Sequence, residues 1–218
     1  MDPVEIITID GPVASGKGSV SSGVARALGF HVLDSGSLYR LTAYKCLKKG
    51  IAPTDLIQAE AVARSLEPEF VNGRILLDGE DVTDGIRAEE VGLAASKVAA
   101  IPGVRQALFE VQRDFARLPG LVADGRDMGS VVFPEARLKV FLTASAEARA
   151  KRRYNQLREK GISSNIADLV RDLKERDERD MKRSVAPLVP PEGARILDSS
   201  DLTLEQTIDQ VLEWYREN

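Results

Sequence analysis

The sequence predicts an α/β fold in which a parallel five-stranded sheet carries helices on both faces. Short apolar segments alternate with helical segments along most of the 218-residue chain, and a repeated β-then-α order is typical of parallel sheets. The first apolar segment runs directly into a glycine-rich turn that opens a helix, which is the setting of a phosphate-binding loop (P-loop). The length suits a single domain, 1–218, with a small insertion.

The individual elements follow from apolar periodicity and turn signals. We predict strands at 4–9, 31–33, 121–124, 138–142 and 194–197. We predict helices at 17–28, 37–49, 55–66, 89–99, 103–117, 146–160, 165–183 and 204–216. The last helix opens with a capping-box pattern, Thr203-Leu204-Glu205-Gln206.

One segment, 67–87, interrupts this alternation. Asn72-Gly73 and Asp78-Gly79 are strong tight-turn signals that separate three short extended pieces, so the segment is predicted to be a small antiparallel β lobe. Two interpretations stay open: an edge hairpin without a function, or a mobile lobe that closes on a second substrate.

The segment after the first strand has the pattern of a P-loop. Its residues are Gly11, Pro12, Val13, Ala14, Ser15, Gly16, Lys17, Gly18 and Ser19. The glycines allow successive N–H groups to turn toward a polyphosphate, and the following helix N-terminus adds its dipole. Lys17 can reach the terminal phosphates as a point charge. An ordinary strand–turn–helix is the alternative, but the spacing and the lysine together predict nucleoside triphosphate binding.

The end of this loop departs from the general pattern. A hydroxyl residue usually follows the lysine directly, whereas here Gly18 intervenes before Ser19. We therefore expect Mg²⁺ to be held mainly by phosphates and water, with Ser19 as a possible ligand. The Gly-Lys-Gly-Ser ending resembles nucleoside-monophosphate kinases more than GTPases or motor ATPases.

Composition excludes several other classes of protein. The net charge of −4 argues against a nucleic-acid-binding surface. No apolar run is long enough to span a bilayer and no leader pattern is visible, so we expect no membrane partner. The single Cys46 fits a reducing cytoplasm. No assembly surface is obvious, which favours a monomer.

Two further strand ends carry site-like residues. Ser35 and Arg40 follow the second predicted strand, at the sheet edge where ligands bind in such folds. The third predicted strand ends in Asp124, Arg126 and Asp127. Asp124 follows an apolar strand as a Walker-B aspartate does, so it is a candidate for positioning Mg²⁺. The alternatives are a solvated helix charge for Arg40 and a turn carboxylate for Asp124.

A charged helical hairpin follows, and we interpret it as a lid over the triphosphate. The hairpin covers about 149–165 and includes Arg152. The next helix has an apolar stripe whose continuation passes through Arg176, Asp180 and Arg183. Charges on a core-facing stripe need partners or a ligand, so a local ion-pair ladder and a substrate site are both open interpretations.

With these residues described, the chain resembles the bacterial cytidylate kinases from end to end. The resemblance rests on Ile9-Asp10-Gly11-Pro12 with the P-loop, Leu33-Asp34-Ser35-Gly36 with Tyr39-Arg40, Ala123-Asp124-Gly125-Arg126-Asp127-Met128-Gly129, Glu175-Arg176-Asp177 through Arg183, and Val185-Ala186-Pro187-Leu188. It implies phosphoryl transfer from ATP to CMP or dCMP with Mg²⁺. Val13 and Ala14 depart from one familiar form of the loop, and no acceptor contact is expected from the Val13 side chain.

The resemblance also implies roles for individual residues. The residues implied to act in catalysis are Lys17, Asp124, Arg126 and Arg176, and those implied to hold ATP are 11–19 and Arg152. Arg40, Arg126 and Arg183 would contact the phosphate and base side of CMP, Arg176 and Asp180 the sugar, and Ser35, Ser96, Arg105 and Asp127 the cytosine. The 67–87 segment is similar to the insertion that marks the bacterial type.

Two other functions remain open at this point. One is a small-molecule kinase of the same fold with another acceptor, such as a different nucleotide or the hydroxyl of shikimate. The other is a nucleotide-dependent switch without an acceptor. Against the switch, the chain lacks an Asn-Lys-x-Asp motif for reading guanine, and a switch function would leave the lid arginines unexplained.

Overall fold

The computed structural model describes residues 4–71, 73–159, 161–182 and 185–217. The chain forms two compact units. The first contains the chain up to Leu33 and from Phe115 onward, and the second contains Asp34–Asp114. The assignment of 1–218 to one kinase domain stays a prediction.

The described residues form the following elements. The strands are β1 (Glu5–Asp10), β2 (His31–Asp34), β3 (Pro68–Val71), β4 (Arg74–Leu77), β5 (Glu80–Asp81), β6 (Gly120–Gly125), β7 (Leu138–Thr143) and β8 (Arg195–Asp198). The helices are α1 (Lys17–Leu28), α2 (Ser35–Lys48), α3 (Leu56–Arg64), α4 (Glu89–Val98), α5 (Pro102–Arg113), α6 (Ala146–Glu159), α7 (Ile166–Lys182) and α8 (Leu204–Glu217). A 3₁₀ turn at Gly85–Arg87 and a π-helical turn at Met128–Val132 complete the set.

The first unit is built on the predicted five-stranded sheet. Its strand order is β2-β6-β1-β7-β8, and β1 pairs in parallel with both β6 and β7, as β7 does with β8. On one side of β1 the sheet continues through β6 to β2, and on the other side it continues through β7 to β8. The strand order therefore reverses direction at β1. The carboxyl end of β1 is therefore the switch point at which open α/β sheets bind ligands.

The two faces of β1 are buried against different partners. Ile7 and Ile9 join a core cluster with Val24 of α1 and Val211 of α8. Thr8 and Asp10 alternate with them and are also fully buried, although both are polar. The π-helical turn Met128–Val132 lies against β1. The alternation of side chains along the strand thus aims the Asp10 carboxylate away from the apolar cluster.

The second unit contains the predicted β lobe. The order β3-β4-β5 is antiparallel throughout, which confirms the three-stranded meander, although Asn72 of the first predicted turn lies outside the described residues. Lys45 of α2 bonds to Asp78 at 3.0 Å, and Lys48 of the same helix forms an ion pair with Glu80. These pairs tie the lobe to α2.

Element ends differ slightly from the prediction. Helix α2 begins at Ser35 rather than 37, because Asp34 caps it through Oδ1, which accepts from the Ser37 N–H at 3.2 Å. Helix α5 ends at Arg113 rather than 117. The capping box of α8 is confirmed, since the Thr203 hydroxyl accepts from the Gln206 N–H and the Gln206 amide oxygen accepts from the Thr203 N–H. Across the ranges described above, none of the helices is long and apolar enough to cross a membrane.

Candidate active site

The P-loop connects β1 to α1 and adopts backbone angles that favour glycine. Gly11 has φ +153°, and a Cβ added there would lie 2.0 Å from the Leu142 carbonyl oxygen. Gly16 has φ +95° directly before the first residue of α1. Both glycines of the sequence pattern are therefore required, one by a close approach to β7 and the other by its left-handed backbone.

Ala14 also lies in the left-handed region, with φ +59°. An L-residue with a Cβ pays about 1–2 kcal/mol for that conformation. The Ala14 departure from the familiar loop is thus a strained position, of the kind that occurs at ligand-binding turns.

The interior of the loop contains a lysine and an unpaired hydroxyl. Lys17 is buried, and its Nζ donates to the Pro12 carbonyl at 2.8 Å. The Ser15 Oγ is buried and has no hydrogen-bond partner within the described chain. A buried hydroxyl without a partner costs about 1–3 kcal/mol. The loop therefore fits a ligand that offers hydrogen-bond acceptors and negative charge, as a polyphosphate does.

Two arginines of α6 contact the loop from the predicted lid. Arg152 donates from Nη1 to the Ser15 carbonyl at 3.1 Å and from Nη2 to the Ser199 carbonyl. Arg149 is buried and donates from Nη1 to the Val13 carbonyl at 3.1 Å. The amino-terminal half of α6 is thus anchored to the P-loop.

The two side chains considered for Mg²⁺ are Ser19 of α1 and Asp124 of β6. A Cβ added to Gly18 would be 3.4 Å from Oδ2 of Asp124, so this carboxylate reaches the first turn of α1, where Ser19 is exposed. Oxygen ligands with room for water and phosphate are what Mg²⁺ prefers. Among the described residues, no three His, Cys, Asp or Glu side chains form a metal-binding group.

Asp10, at the end of β1, is the most unusual ionisable residue of this region. Its Oδ1 accepts from the Met128 N–H and its Oδ2 from the Gly129 N–H, each at 2.8 Å. Burial raises the pKa of Asp10 to about 6, against the opposing effect of these two hydrogen bonds. The negative charge of Asp127 raises this pKa further, and the positive charge of Lys17 lowers it.

The segment after β6 carries two of the predicted acceptor residues. Arg126 donates from Nε to Oδ2 of Asp180 at 2.7 Å, and the Asp180 side chain is only 3% exposed. Asp127 is buried and immediately precedes the π-helical turn, where its carbonyl accepts from the Val131 N–H at 2.9 Å. The structure therefore brings Arg126 and Asp180 together, although they were predicted to contact different parts of CMP.

Along helix α7, the charged end of the predicted stripe is more buried than its apolar beginning. Leu173 and Arg176 are half-buried, and Asp180 is the fully buried residue of the helix. Arg183, the next position of the stripe, lies outside the described residues. The buried charge has a partner from the β6 segment, so the stripe is more than a ladder within one helix.

The second unit holds the other predicted acceptor residues around α2. Ser35 is buried at the first position of the helix. Arg40 donates from Nη1 to the Ile86 carbonyl at 2.8 Å and to the Ala88 carbonyl at 3.5 Å. Gly92 of α4 lies beneath it, since a Cβ added there would be 3.0 Å from Nη2 of Arg40. This guanidinium is therefore held in a defined place.

Ser96 and Arg105 belong to the neighbouring helices of the same unit. Ser96 is half-buried on α4, which packs against α2. The Arg105 guanidinium lies 5.7 Å from the ring centroid of Tyr39 and donates to the Ala99 carbonyl at 3.3 Å. The cation–π contact directs Arg105 to the helix that carries Arg40.

Sequence reasoning missed the roles of Asp10 and Arg149. For Asp10, a signal was present: a carboxylate that ends an apolar strand directly before the loop glycine. For Arg149, the signal was hidden among neighbouring lid arginines, and the sequence pattern does not distinguish a buried arginine from exposed ones.

Comparisons with known proteins agree closely with one another. A sequence model of the family described as cytidylate kinase matches residues 7–217. The chain is 58% identical over 211 residues to a cytidylate kinase of Bordetella bronchiseptica, covering 97% of this chain and 95% of that protein. It is 56% identical over 215 residues to a cytidylate kinase of Cupriavidus pinatubonensis, covering 99% and 97%.

A solved structure supports the fold alone. An uncharacterized protein from Eubacterium ventriosum superimposes with a TM-score of 0.51 at 10% identity, covering 98% of this chain and 99% of the other.

Proposed function

The chain belongs to the cytidylate kinase family and catalyses ATP-dependent phosphorylation of CMP, and we propose that residues 11–19 hold the phosphates of ATP during this reaction. The observation that carries the assignment is that one loop, with positive φ angles at Gly11, Ala14 and Gly16, contains both a buried Ser15 hydroxyl without a hydrogen-bond partner and the buried Lys17. ATP supplies acceptors for both groups and exchanges the Lys17 bond to the Pro12 carbonyl for a bond to phosphate.

Arg152 is also proposed to bind ATP. Its guanidinium already contacts the Ser15 carbonyl, so it lies beside the loop without having to be recruited from solvent. We place the part of the lid that moves beyond Arg152, because Arg149 and Arg152 are both bonded to the P-loop at the base of α6. Closure of the remainder of 149–165 over the phosphates excludes water, which would otherwise act as the acceptor.

Mg²⁺ is proposed to bind mainly through phosphate oxygens and water. The side chains that supply oxygen atoms for it are Ser19 of α1 and Asp124 of β6, whose carboxylate reaches the first turn of α1. The ion neutralises phosphate charge when it is bound. With this charge balanced, Lys17, Arg126 and Arg176 are left to orient the transferred group.

The acceptor residues are proposed to bind CMP and dCMP. Arg126, which Asp180 holds, and Arg40, which the Ile86 carbonyl holds, are pre-ordered donors for phosphate oxygens. We assign Arg183 to the same phosphate and base side. Arg176 and Asp180 are assigned to the sugar.

Recognition of cytosine is proposed to depend on Asp127 and Arg105, together with Ser35 and Ser96. A carboxylate accepts from the N4 amino group of cytosine, and an arginine donates to N3 or O2. Uracil reverses the donor and acceptor at positions 3 and 4, so it would leave these groups unpaired, at about 1–3 kcal/mol each. The 67–87 lobe is assigned to acceptor binding with the rest of its unit.

The chemistry needs no strong general base. A phosphate oxygen of CMP is already nucleophilic; it forms a bond to the γ-phosphorus as the bond to the β,γ-bridging oxygen breaks, and ADP leaves with that oxygen. Positioning and charge neutralisation by Lys17, Arg126 and Arg176 are the contributions of the protein.

The test is an ATP-to-ADP coupled assay with separate acceptors. We expect turnover with CMP and dCMP, weak turnover with UMP, and background with AMP and shikimate. Faster turnover with shikimate or AMP would overturn the acceptor assignment. ATP hydrolysis that no acceptor stimulates would favour a nucleotide switch.

Assembly and location are part of the same proposal. We propose a cytoplasmic monomer that binds no nucleic acid, on the basis of its net charge of −4 and a single, buried Cys46 thiol. Sedimentation analysis with and without substrates tests the monomer, and a concentration-dependent dimer would contradict it.

A further inference from the structure

The carboxylate of Asp10 connects the strand before the P-loop to the segment that reads the acceptor. It is completely buried at the end of β1, and each of its oxygens accepts one backbone N–H from the π-helical turn. The Met128 N–H belongs to the peptide unit that begins at the Asp127 carbonyl. The bond to Asp10 therefore orients the peptide group adjacent to Asp127.

The turn also fits closely against β1. A Cβ added to Gly129 would lie 2.7 Å from Oγ1 of Thr8 and 3.1 Å from Cγ of Pro191. Only glycine allows the turn to come near enough for both N–H groups to reach Asp10. The contact between β1 and the π-helical turn thus depends on the Asp10 carboxylate and on the absence of a side chain at Gly129.

Holding a turn with a buried carboxylate lowers the free energy of unfolding, because removing the charge from water opposes folding. A neutral asparagine could accept only one of the two N–H groups and would set its own NH₂ against the other. Two acceptors at one position require the carboxylate. A carboxylate buried at this position therefore indicates precise placement of the turn rather than a gain in stability.

We propose that Asp10 is a positioning residue that sets Asp127 and Arg126 for binding of the cytosine nucleotide. The inference rests on the proposed acceptor roles of those two residues. Asp10 itself touches no substrate in this scheme. Its contribution passes through the Met128 and Gly129 amides.

The experiment compares Asp10→Asn with Glu5→Gln, a matched carboxylate-to-amide change at the opposite end of β1. For Asp10→Asn we expect KM for CMP to rise about tenfold, as loss of about 1.4 kcal/mol would give, while KM for ATP changes by less than about twofold. The preference for CMP over UMP should fall as well. Glu5→Gln should change none of these quantities.

Amide hydrogen exchange supplies a readout that does not depend on activity. The Met128 and Gly129 amides should be protected in the parent and exchange faster in Asp10→Asn. Unchanged protection of both amides would overturn the inference whatever the substrate is. If the parent failed to phosphorylate CMP, the proposed function would fail separately, and the exchange measurement would still report on the contact.

Gly129→Ala covers the case in which Asp10→Asn does not fold. This variant keeps the carboxylate but pushes the turn away from Thr8, so it should give the same selective rise in KM for CMP. Equal rises in KM for ATP and CMP, or a fall in kcat alone, would mean that Asp10 acts through Lys17 or only on stability. Either result would contradict the positioning role.

Discussion

Arg149 and Asp177 form a two-point ion pair that joins α6 to α7. Nη1 of Arg149 lies 3.1 Å from Oδ1 of Asp177 and Nη2 lies 2.5 Å from Oδ2, with side-chain exposures of 4% and 17%. The same guanidinium bonds to the Val13 carbonyl of the P-loop and to the Ala144 carbonyl after β7. One buried side chain thus links the P-loop to both α6 and α7.

Breaking this pair should destabilise the protein strongly. We expect Arg149→Met and Asp177→Asn each to cost about 3–5 kcal/mol of unfolding free energy, because each leaves an uncompensated buried charge or partner. Urea unfolding of both single variants and the double variant measures the coupling. The exposed pair Arg171–Asp168 is the control and should couple by about 0.5 kcal/mol or less. Equal coupling in the two pairs would contradict the special role of the buried one.

Removing the loop lysine should lower turnover severely while preserving the fold. Lys17→Ala takes away the charge proposed to stabilise the transferred phosphoryl group, so kcat should fall by at least about 100-fold. Circular dichroism should stay like that of the parent. Lys49→Ala, which removes an exposed lysine at the end of α2, should leave kcat unchanged. Near-parental turnover of Lys17→Ala would refute the phosphate-binding role.

The proposed cytosine reader can be tested by selectivity. Asp127→Ala removes the acceptor for the N4 amino group, so the ratio of kcat/KM for CMP to that for UMP should fall by about 10- to 100-fold. The control Asp201→Ala removes an exposed carboxylate before α8. If Asp127→Ala discriminated as sharply as the parent, the base assignment would be wrong.

Asp10 should give the unfolding free energy a distinctive pH dependence. Its folded pKa, about 6, lies above the ordinary value of 3.8, so the folded state holds the proton more tightly. The stabilisation from this group is complete below about pH 4 and is lost as the pH rises through 6, by about 3 kcal/mol in total. Lys17 and Asp127 are the charged groups that modify this pKa.

Urea unfolding of ligand-free parent and Asp10→Asn between pH 4 and 7.5 measures this effect. The unfolding free energy of the parent, minus that of the variant, should decrease as the pH rises. A difference that did not vary with pH would show that the Asp10 carboxylate titrates normally.

The sequence alone determined the order and type of the elements and most of the loop. Alternating apolar segments, the glycines at 11 and 16, the turn at 78–79 and the Thr203 cap act through neighbours a few positions away, and the structure confirms the elements they predicted. The predicted start of α2 and the predicted end of α5 were wrong by a few residues. There, a cap at Asp34 moved the start of α2, and the sequence shows no clear stop at the end of α5.

Tertiary structure alone decided which charged residues are paired and buried. Asp10 meets Met128 across 118 positions, Arg126 meets Asp180 across 54, and Arg149 meets Val13 across 136. The strand end at Asp10 and the stripe through Asp180 were visible in the sequence, but no local pattern identified the partners of these charges, because those partners are brought near only by the folded sheet. The spacing of residues in the sequence therefore predicts the P-loop, whereas the buried charges that hold the loop in place are identified only by the packing around β1.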